Sequence, residues 1–257
     1  MTKRLANIFL YSLFILAAPL VKAFEIPEGV EVVAAPVVKK MVEQENTPLV
    51  HVLSRIEFQM QHIPGSINIP VDQLEKSSLL PVDKTAPVIF YCNGTACPYS
   101  QRASKKAVTM GYQNVHWFRG GILEWRKFRY EMNVDKDMVG IKVKKINPQQ
   151  LQTMNLDDYI VLDVRPKWWR QSAEKAGIIA GTDIMIPLLE LDKSLQKLPQ
   201  DKPLFIVDRL MRQSVHAAKY LISKGVSVDG VLLGGTKRWV AEGYPVLSEN
   251  DEPEFIK

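Results

Sequence analysis

The only two cysteines of this 257-residue chain, Cys92 and Cys97, lie in one stretch, Pro87 to Ser104, PVIFYCNGTACPYSQRAS. A run of β-forming apolar residues, Val88 to Tyr91, delivers Cys92 to a loop containing Gly94 and Pro98, and a helical pattern starts near Ser100. A thiol between a strand end and a helix N-terminus sits where backbone N–H groups and the helix dipole favour the thiolate. The stretch therefore suits sulfur chemistry, with a buried or disulfide-bonded cysteine as the plainer alternative. The C-x-x-x-x-C spacing differs from the C-x-x-C of dithiol oxidoreductases. In an oxidising compartment the pair is open to three readings: a local disulfide, a redox couple, or a reactive thiol with its resolving partner.

Composition limits the chemistry further. With 46% hydrophobic and 24% charged residues the chain is ordinary globular protein, long enough for one large domain or two smaller ones. Lys3 and Arg4 precede an uncharged apolar run from Leu5 to Val21, and Val21-Lys22-Ala23 offers small residues at the −3 and −1 positions of a signal-peptidase site. Residues 1–23 are thus expected to be a signal peptide, with an uncleaved membrane anchor as the alternative, and the protein to be exported to a periplasmic or other extracytoplasmic location. Cleavage after Ala23 leaves 30 basic against 28 acidic residues, so the formal charge of +5 falls to +2 and gives no support to a nucleic-acid partner. Two cysteines this close cannot provide a disulfide framework. No His, Cys and Asp cluster has metal-ligand spacing, and no metal or other cofactor is expected.

The elements that must position Cys92 alternate between strand and helix. Residues 24–35 carry no clear period and read as a linker. Pro36 to Gln44 fits a short helix, Leu49 to Leu53 a strand, Arg55 to Gln61 one or two helical turns, and Ser66 to Pro70 a short strand stopped by proline. Connections of this length imply a parallel sheet covered on both faces. An internal repeat then organises the whole chain. Gly111, Gly120, Gly121 and Trp125 recur as Gly225, Gly234, Gly235 and Trp239, each displaced by 114 residues, and Ser100 faces Ser214 at the same displacement. Ile67-Asn68-Ile69-Pro70 reappears as Ile184-Met185-Ile186-Pro187. Two copies of one α/β domain are expected, over 36–138 and 148–250, joined by a lysine-rich linker at 139–147.

Phe58 to Pro70, a strand ending in a cysteine, and Trp117-Phe118-Arg119-Gly120-Gly121 through Trp125 resemble the rhodanese-like family. Val161-Leu162-Asp163-Val164-Arg165 and Gly234-Gly235 through Tyr244-Pro245-Val246 resemble it in the second half. The resemblance implies two tandem rhodanese-like domains, each a five-stranded parallel sheet flanked by helices, with the reactive cysteine at a strand's C-terminal end. It also separates the copies. Asp208 stands where the second domain would carry the sulfur-bearing cysteine, and a carboxylate cannot become a persulfide. Asp208 to Ser214 spans six positions, while Cys92 to Ser100 spans eight. The first domain has His51 and Leu53 where the second has the pair Asp163 and Arg165; Arg55 is the expected substitute cation, and His51 is expected to be a hydrogen-bonded interior residue. His116, ahead of Trp117 and Phe118, reads as rim or core packing.

What the resemblance implies for function is sulfur transfer. Cys92 attacks the outer sulfur of an anionic donor such as thiosulfate or a polysulfide, and the persulfide passes sulfur to a thiol or cyanide-like acceptor. The expected substrate-binding groups are Asn93, Gly94, Thr95, Ala96, Cys97, Ser100 and Arg102, the last equally consistent with a solvated helix arginine. Cys97 is expected to be a loop wall or a resolving thiol. Phosphatases related to this fold use Cys-x5-Arg, and Pro98 occupies the arginine position here, which excludes the bidentate phosphate clamp. The competing class is a binding, sensing or thiol-redox protein with an inactive second domain as cover or docking surface, Trp168-Trp169 lining a site or packing between domains, and a protein thiol as possible partner.

Overall fold

The computed structural model describes residues 25–166 and 177–247; the expected signal peptide and Trp168-Trp169 lie outside them. The first sheet contains β1 (Val30–Val32), β2 (Leu49–His51), β4 (Ile67–Asn68), β5 (Val88–Tyr91) and β6 (Val115–Phe118), in the order β1-β6-β5-β2-β4. All its pairings are parallel. A short antiparallel ribbon joins β3 (Gln61–His62) to β7 (Asn133–Val134). The second sheet contains β8 (Lys145–Ile146), β9 (Ile160–Asp163), β10 (Ile184–Met185), β11 (Leu204–Val207) and β12 (Val228–Leu232). Its order, β8-β12-β11-β9-β10, repeats the first strand for strand, again parallel.

The edge strands correct the expected boundaries. Residues 24–35 and 139–147 are not simple linkers, because β1 and β8 supply the fifth strand of each sheet at the same place beside β6 and β12. Strands of three and two residues at a half-solvated edge are too short to show a period of two.

Central strand β5 is buried on both faces, which is why it reads as a continuous apolar run. Its residues alternate between two cores. Val88, Phe90 and Cys92 pack with α3 (Tyr99–Thr109), whereas Ile89 and Tyr91 face α1 (Ala35–Glu45) and α4 (Gly121–Lys127). In the second domain Leu204 and Ile206 pack with α8 (Gln213–Ser223), and Phe205 and Val207 with α9 (Gly235–Ala241). The same alternation in each copy places Cys92 and Asp208 just beyond the end of a central strand.

Helix α2 (Arg55–Met60) joins the domains. Its start is fixed by a capping box in which Glu57 N donates to Ser54 Oγ at 3.2 Å and Ser54 N donates to Glu57 Oε2 at 3.1 Å. Its apolar face, Ile56 and Met60, enters the second domain's core beside Leu188, Leu191 and Ala217, together with Met138 of α5 (Lys136–Gly140). Leu188 and Leu191 belong to α7 (Leu188–Leu191), and α6 (Pro148–Thr153) opens the second domain. Burying two such side chains stabilises the docked pair by about 1.5–3 kcal/mol each. Across the same contact Glu57 Oε1 lies 3.6 Å from His216 Nδ1 of α8.

Candidate active site

Cys92 is fully buried at the start of the loop between β5 and α3. Its Sγ lies 3.1 Å from Ser100 Oγ. Trp117 Nε1 donates to the same hydroxyl at 2.9 Å, which leaves the Ser100 proton to point at the sulfur. Burial, the largest single influence, opposes ionisation of Cys92. It is outweighed by hydrogen bonds from the Cys97 side chain, the Ser100 hydroxyl, and the N–H groups of Ser100 and Gly94, so the Cys92 pKa lies below that of an ordinary thiol. Cys97 behaves oppositely. Its bond to the Cys92 sulfur and then its burial hold its pKa well above the usual thiol range. The Cys92 thiol also lies 3.6 Å from the Cys97 carbonyl oxygen, to which it donates, and both cysteines are free of disulfide.

Backbone contacts from the far side fix this loop. Ile122 N donates to Cys92 O at 3.1 Å, and Leu123 N to Asn93 O at 2.9 Å. The approach is possible because Gly121 has φ 52° and no side chain; a Cβ there would stand 2.1 Å from Cys92 O. The second copy is built the same way: Gly235 has φ 65°, its Cβ would meet Asp208 O at 2.4 Å, and Thr236 N donates to that oxygen at 2.8 Å. The second glycine of each repeated pair, Gly121 and Gly235, is thus what lets the backbone close on the loop carbonyl. Gly121→Ala is expected to destabilise the first domain by roughly 2 kcal/mol or more, from the left-handed backbone and the clash together, and to slow alkylation of Cys92. Thermal unfolding and iodoacetamide labelling measure the two effects.

In the second domain the carboxylate occupies the cradle that thiolate chemistry would need. Asp208 Oδ2 accepts from Arg212 N at 3.0 Å and Gln213 N at 2.9 Å, and Oδ1 accepts from Ser214 Oγ at 2.8 Å. Ser214 does for Asp208 what Ser100 does for Cys92. The loop is filled by its own anion.

Both loops face one cavity of about 740 Å³ between the domains. Asn93, Gly94, Ala96 and Cys97 line it, as do His51 and Glu57; the second domain contributes Asp208 to Gln213, Val215 and His216. Cys92 itself is not part of the wall. Of the two cysteines, half-buried Cys97 is the one among the lining residues. Of the other residues expected to bind substrate, Ser100 is buried against Cys92, while Thr95 and Arg102 are exposed and outside the wall. Arg102 stacks over Tyr99 instead, 6.0 Å from the ring centre. Arg55 does not replace the missing cation, because it is exposed on α2 and outside the cavity lining. Burial, the largest influence, brings the His51 pKa down to about 4, so the ring is neutral at neutral pH. His116, 8% exposed on β6, lies 3.2 Å from Glu31 Oε2 at the sheet edge and away from the cavity. Among the described residues no group of three or more His, Cys, Asp or Glu is arranged to hold a metal ion.

Three contributions were missed by sequence reasoning. Arg209 and Arg212 are the arginines that line the cavity, and they come from the second domain. Trp117 orients Ser100. The two arginines lie directly after Asp208, so the repeat alignment that placed Asp208 opposite Cys92 was the available signal. Trp117→Phe removes the donor that fixes the Ser100 hydroxyl, and the pH midpoint for Cys92 alkylation is expected to rise by about 0.5–1 unit, the worth of one hydrogen bond.

A cysteine held beyond the central strand of a parallel sheet, with an aspartate at the same place in a second such sheet, marks a two-domain α/β protein whose two cysteines lie in the first domain. Its first domain belongs to the rhodanese-like family: residues 34–128 match the family described as Rhodanese-like domain. Among curated relatives, the tRNA uridine(34) hydroxylase of Yersinia pestis (strain Pestoides F) is 25% identical over 109 residues, 40% of this chain and 30% of the relative. The chain therefore spans less than a third of the length of these curated relatives. Among solved structures, a rhodanese-related protein from Thermoplasma volcanium is 32% identical, with 40% of this chain and 97% of that chain covered and a TM-score of 0.36. A thiosulfate sulfurtransferase from Pseudomonas aeruginosa is 19% identical, with 88% of this chain and 45% of that chain covered and a TM-score of 0.37. The family and the site support sulfur-transfer or related chemistry.

Proposed function

We propose that the protein is an exported sulfurtransferase that carries sulfane sulfur as a persulfide on Cys92. One observation carries the reading: the first-domain cradle directs the Ser100 hydroxyl, the Cys97 thiol and two backbone N–H groups at a single sulfur. Donors of that kind stabilise the attacking thiolate, and they stabilise the anion that returns when sulfur leaves. With thiosulfate, Cys92–S⁻ attacks the outer sulfur, the sulfur–sulfur bond breaks and sulfite departs with the electron pair. The product is Cys92–S–S⁻. A nucleophilic acceptor, a thiol or cyanide, then attacks the outer sulfur and releases the Cys92 thiolate. Export to a periplasmic or other extracytoplasmic compartment rests on the N-terminal apolar run. Incubation with thiosulfate or polysulfide should add about 32 Da, one sulfur, to the peptide containing Cys92; an unchanged mass with both donors overturns the proposal.

The position of Cys97 favours one competing reading, a dithiol redox protein. A Cys97 thiol beside the persulfide could attack the inner sulfur, forming a Cys92–Cys97 disulfide and expelling hydrosulfide. In the sulfurtransferase reading Cys97 is a wall and a hydrogen-bond donor, a role its hydroxyl analogue can fill. Cys97→Ser is therefore expected to retain the mass gain with a rate within about tenfold of the unsubstituted protein, the worth of one hydrogen bond. Donor-dependent release of sulfide with a loss of about 2 Da, seen only when both cysteines are present, would establish the redox reading instead.

A further inference from the structure

The loop that follows Cys92 carries no charge of its own. Asn93 to Tyr99 reads NGTACPY, and the first-domain arginines Arg55 and Arg102 stand outside the cavity wall. Among the described residues, every lysine or arginine of that wall belongs to the second domain: Lys145 on its edge strand, and Arg209 and Arg212 on the loop after Asp208. The two wall carboxylates are committed to other donors. Glu57 accepts from Ser54 and lies 3.6 Å from His216 Nδ1, and Asp208 accepts from Arg212 N, Gln213 N and Ser214 Oγ. A dianion such as thiosulfate is repelled by the thiolate it must reach unless a cation lies beside its path. The domain that holds the cysteine supplies no such cation to the cavity, and the domain without a cysteine does.

Arg212 is the best placed of the three. Its main chain is fixed, because its N–H donates to Asp208 Oδ2 at 3.0 Å, while its exposed guanidinium has no hydrogen bond or ion pair with any described residue. The residue before it, Met211, has φ 58°, a left-handed backbone that residues other than glycine rarely adopt and that persists only where its surroundings enforce it. Here the Asp208 carboxylate does so, by taking the N–H groups of both residues that follow. The self-filled cradle then has a use: it holds in shape the loop that brings Arg212 to the cavity wall. A planar guanidinium fits two oxygens of an oxyanion at once, which a lysine ammonium does not.

We propose that Arg212 of the second domain is the donor-binding cation of the Cys92 site, holding the oxyanion end of a thiosulfate-type donor across the cavity while the outer sulfur meets the thiolate of the first domain. The inference rests on the Cys92 persulfide reading. In the step itself Cys92–S⁻ bonds to the outer sulfur, the sulfur–sulfur bond of the donor breaks, and sulfite leaves with the electron pair, its oxygens still on the guanidinium. No outside oxidant or reductant enters.

The test uses the mature protein, with thiosulfate as donor and cyanide as acceptor. Arg212→Met keeps the main-chain bond to Asp208 and should raise the KM for thiosulfate about tenfold or more, the scale of one charge-assisted hydrogen bond. Arg212→Lys should recover part of that loss. Arg102→Met removes the same charge from outside the wall and should leave the KM where it was. A second readout needs no sulfur transfer: the rate of Cys92 alkylation by iodoacetate relative to iodoacetamide, an anion against its neutral counterpart. That ratio should fall about tenfold in Arg212→Met, the low end of electrostatic steering, and hold in Arg102→Met. Either readout left unmoved by Arg212→Met, or moved as far by Arg102→Met, overturns the inference and leaves the sulfurtransferase reading standing. An unsubstituted protein that gains no sulfur from any donor removes that reading itself, and this inference with it.

Discussion

Mature protein carrying Cys92→Ser will gain no sulfur from thiosulfate or polysulfide, and its sulfur transfer to cyanide will fall by roughly 10⁴-fold or more, the scale of losing a covalent nucleophile. The reason is the identity of the atom that all the donors address. Ser100 Oγ, 3.1 Å away, the Cys97 thiol and the N–H groups of Gly94 and Ser100 stabilise a sulfur anion, but none is a base that could activate a hydroxyl in its place. Wall residue Cys97 keeps its proton, so it does not substitute as nucleophile. The unsubstituted protein has a pH signature as well. Because the Cys92 pKa is depressed, its persulfidation rate should already be level at pH values where a free thiol, with a pKa near about 8.5, is still gaining reactivity. Lowering the pH through the depressed midpoint should switch it off. Intact mass and a rate–pH profile check both; a serine variant that takes up sulfur, or an unsubstituted midpoint at or above the free-thiol value, would overturn the assignment.

The largest expected stability effect lies away from the cavity. Arg165 and Asp163 are 1% and 0% exposed, and the guanidinium Nε donates to both carboxylate oxygens at 3.0 and 2.9 Å. Arg165 also donates to Thr236 Oγ1 at 3.2 Å, which ties β9 to the start of α9. Removing one member of such a pair strands a buried charge, at a cost of about 3–5 kcal/mol. Arg165→Ala should therefore lower the melting temperature by roughly 10–30 °C for a unit of this size. Asp163→Leu combined with Arg165→Met should melt above the single variant, because no charge is left unpaired. Calorimetry measures this, and a single variant within about 1 kcal/mol of the unsubstituted protein would show that the pair is dispensable. The first domain manages without the pair: Asn68 Nδ2 donates to the carbonyls of His51 at 3.0 Å and Leu53 at 2.9 Å at the equivalent corner.

Much of this architecture was legible before any coordinates. The apolar runs at Val88–Tyr91 and Leu204–Val207 are central strands because both faces of such strands are buried, and their sequence needs no alternation. The offset of 114 residues was carried in part by glycines whose backbone role is the same in both copies, Gly111 with Gly225 and Gly121 with Gly235, each at positive φ. Edge strands β1 and β8 were not legible, since two or three half-exposed residues carry almost no pattern. The cavity was half legible. Its first-domain wall follows from the Cys92 loop, but the second wall depends on Ile56 and Met60 of α2 entering the core beside α7 and α8, a long-range packing event with no local signal. For the same reason Arg55 and Arg102, near the loop in sequence, were given roles that exposed helix positions do not support, while Arg209 and Arg212 went unnoticed.

The carboxylate that fills the second cradle also sets the counting of sulfur. A vacant copy of the loop would compete for anionic donors and hold them where nothing can react, a non-productive complex that grows with donor concentration. Asp208 already satisfies Arg212 N, Gln213 N and the Ser214 hydroxyl, so the second domain has no such vacancy to offer. Titration with donor should reach its end point at a single sulfane sulfur per chain, with no inhibition by excess donor arising from the duplicated fold.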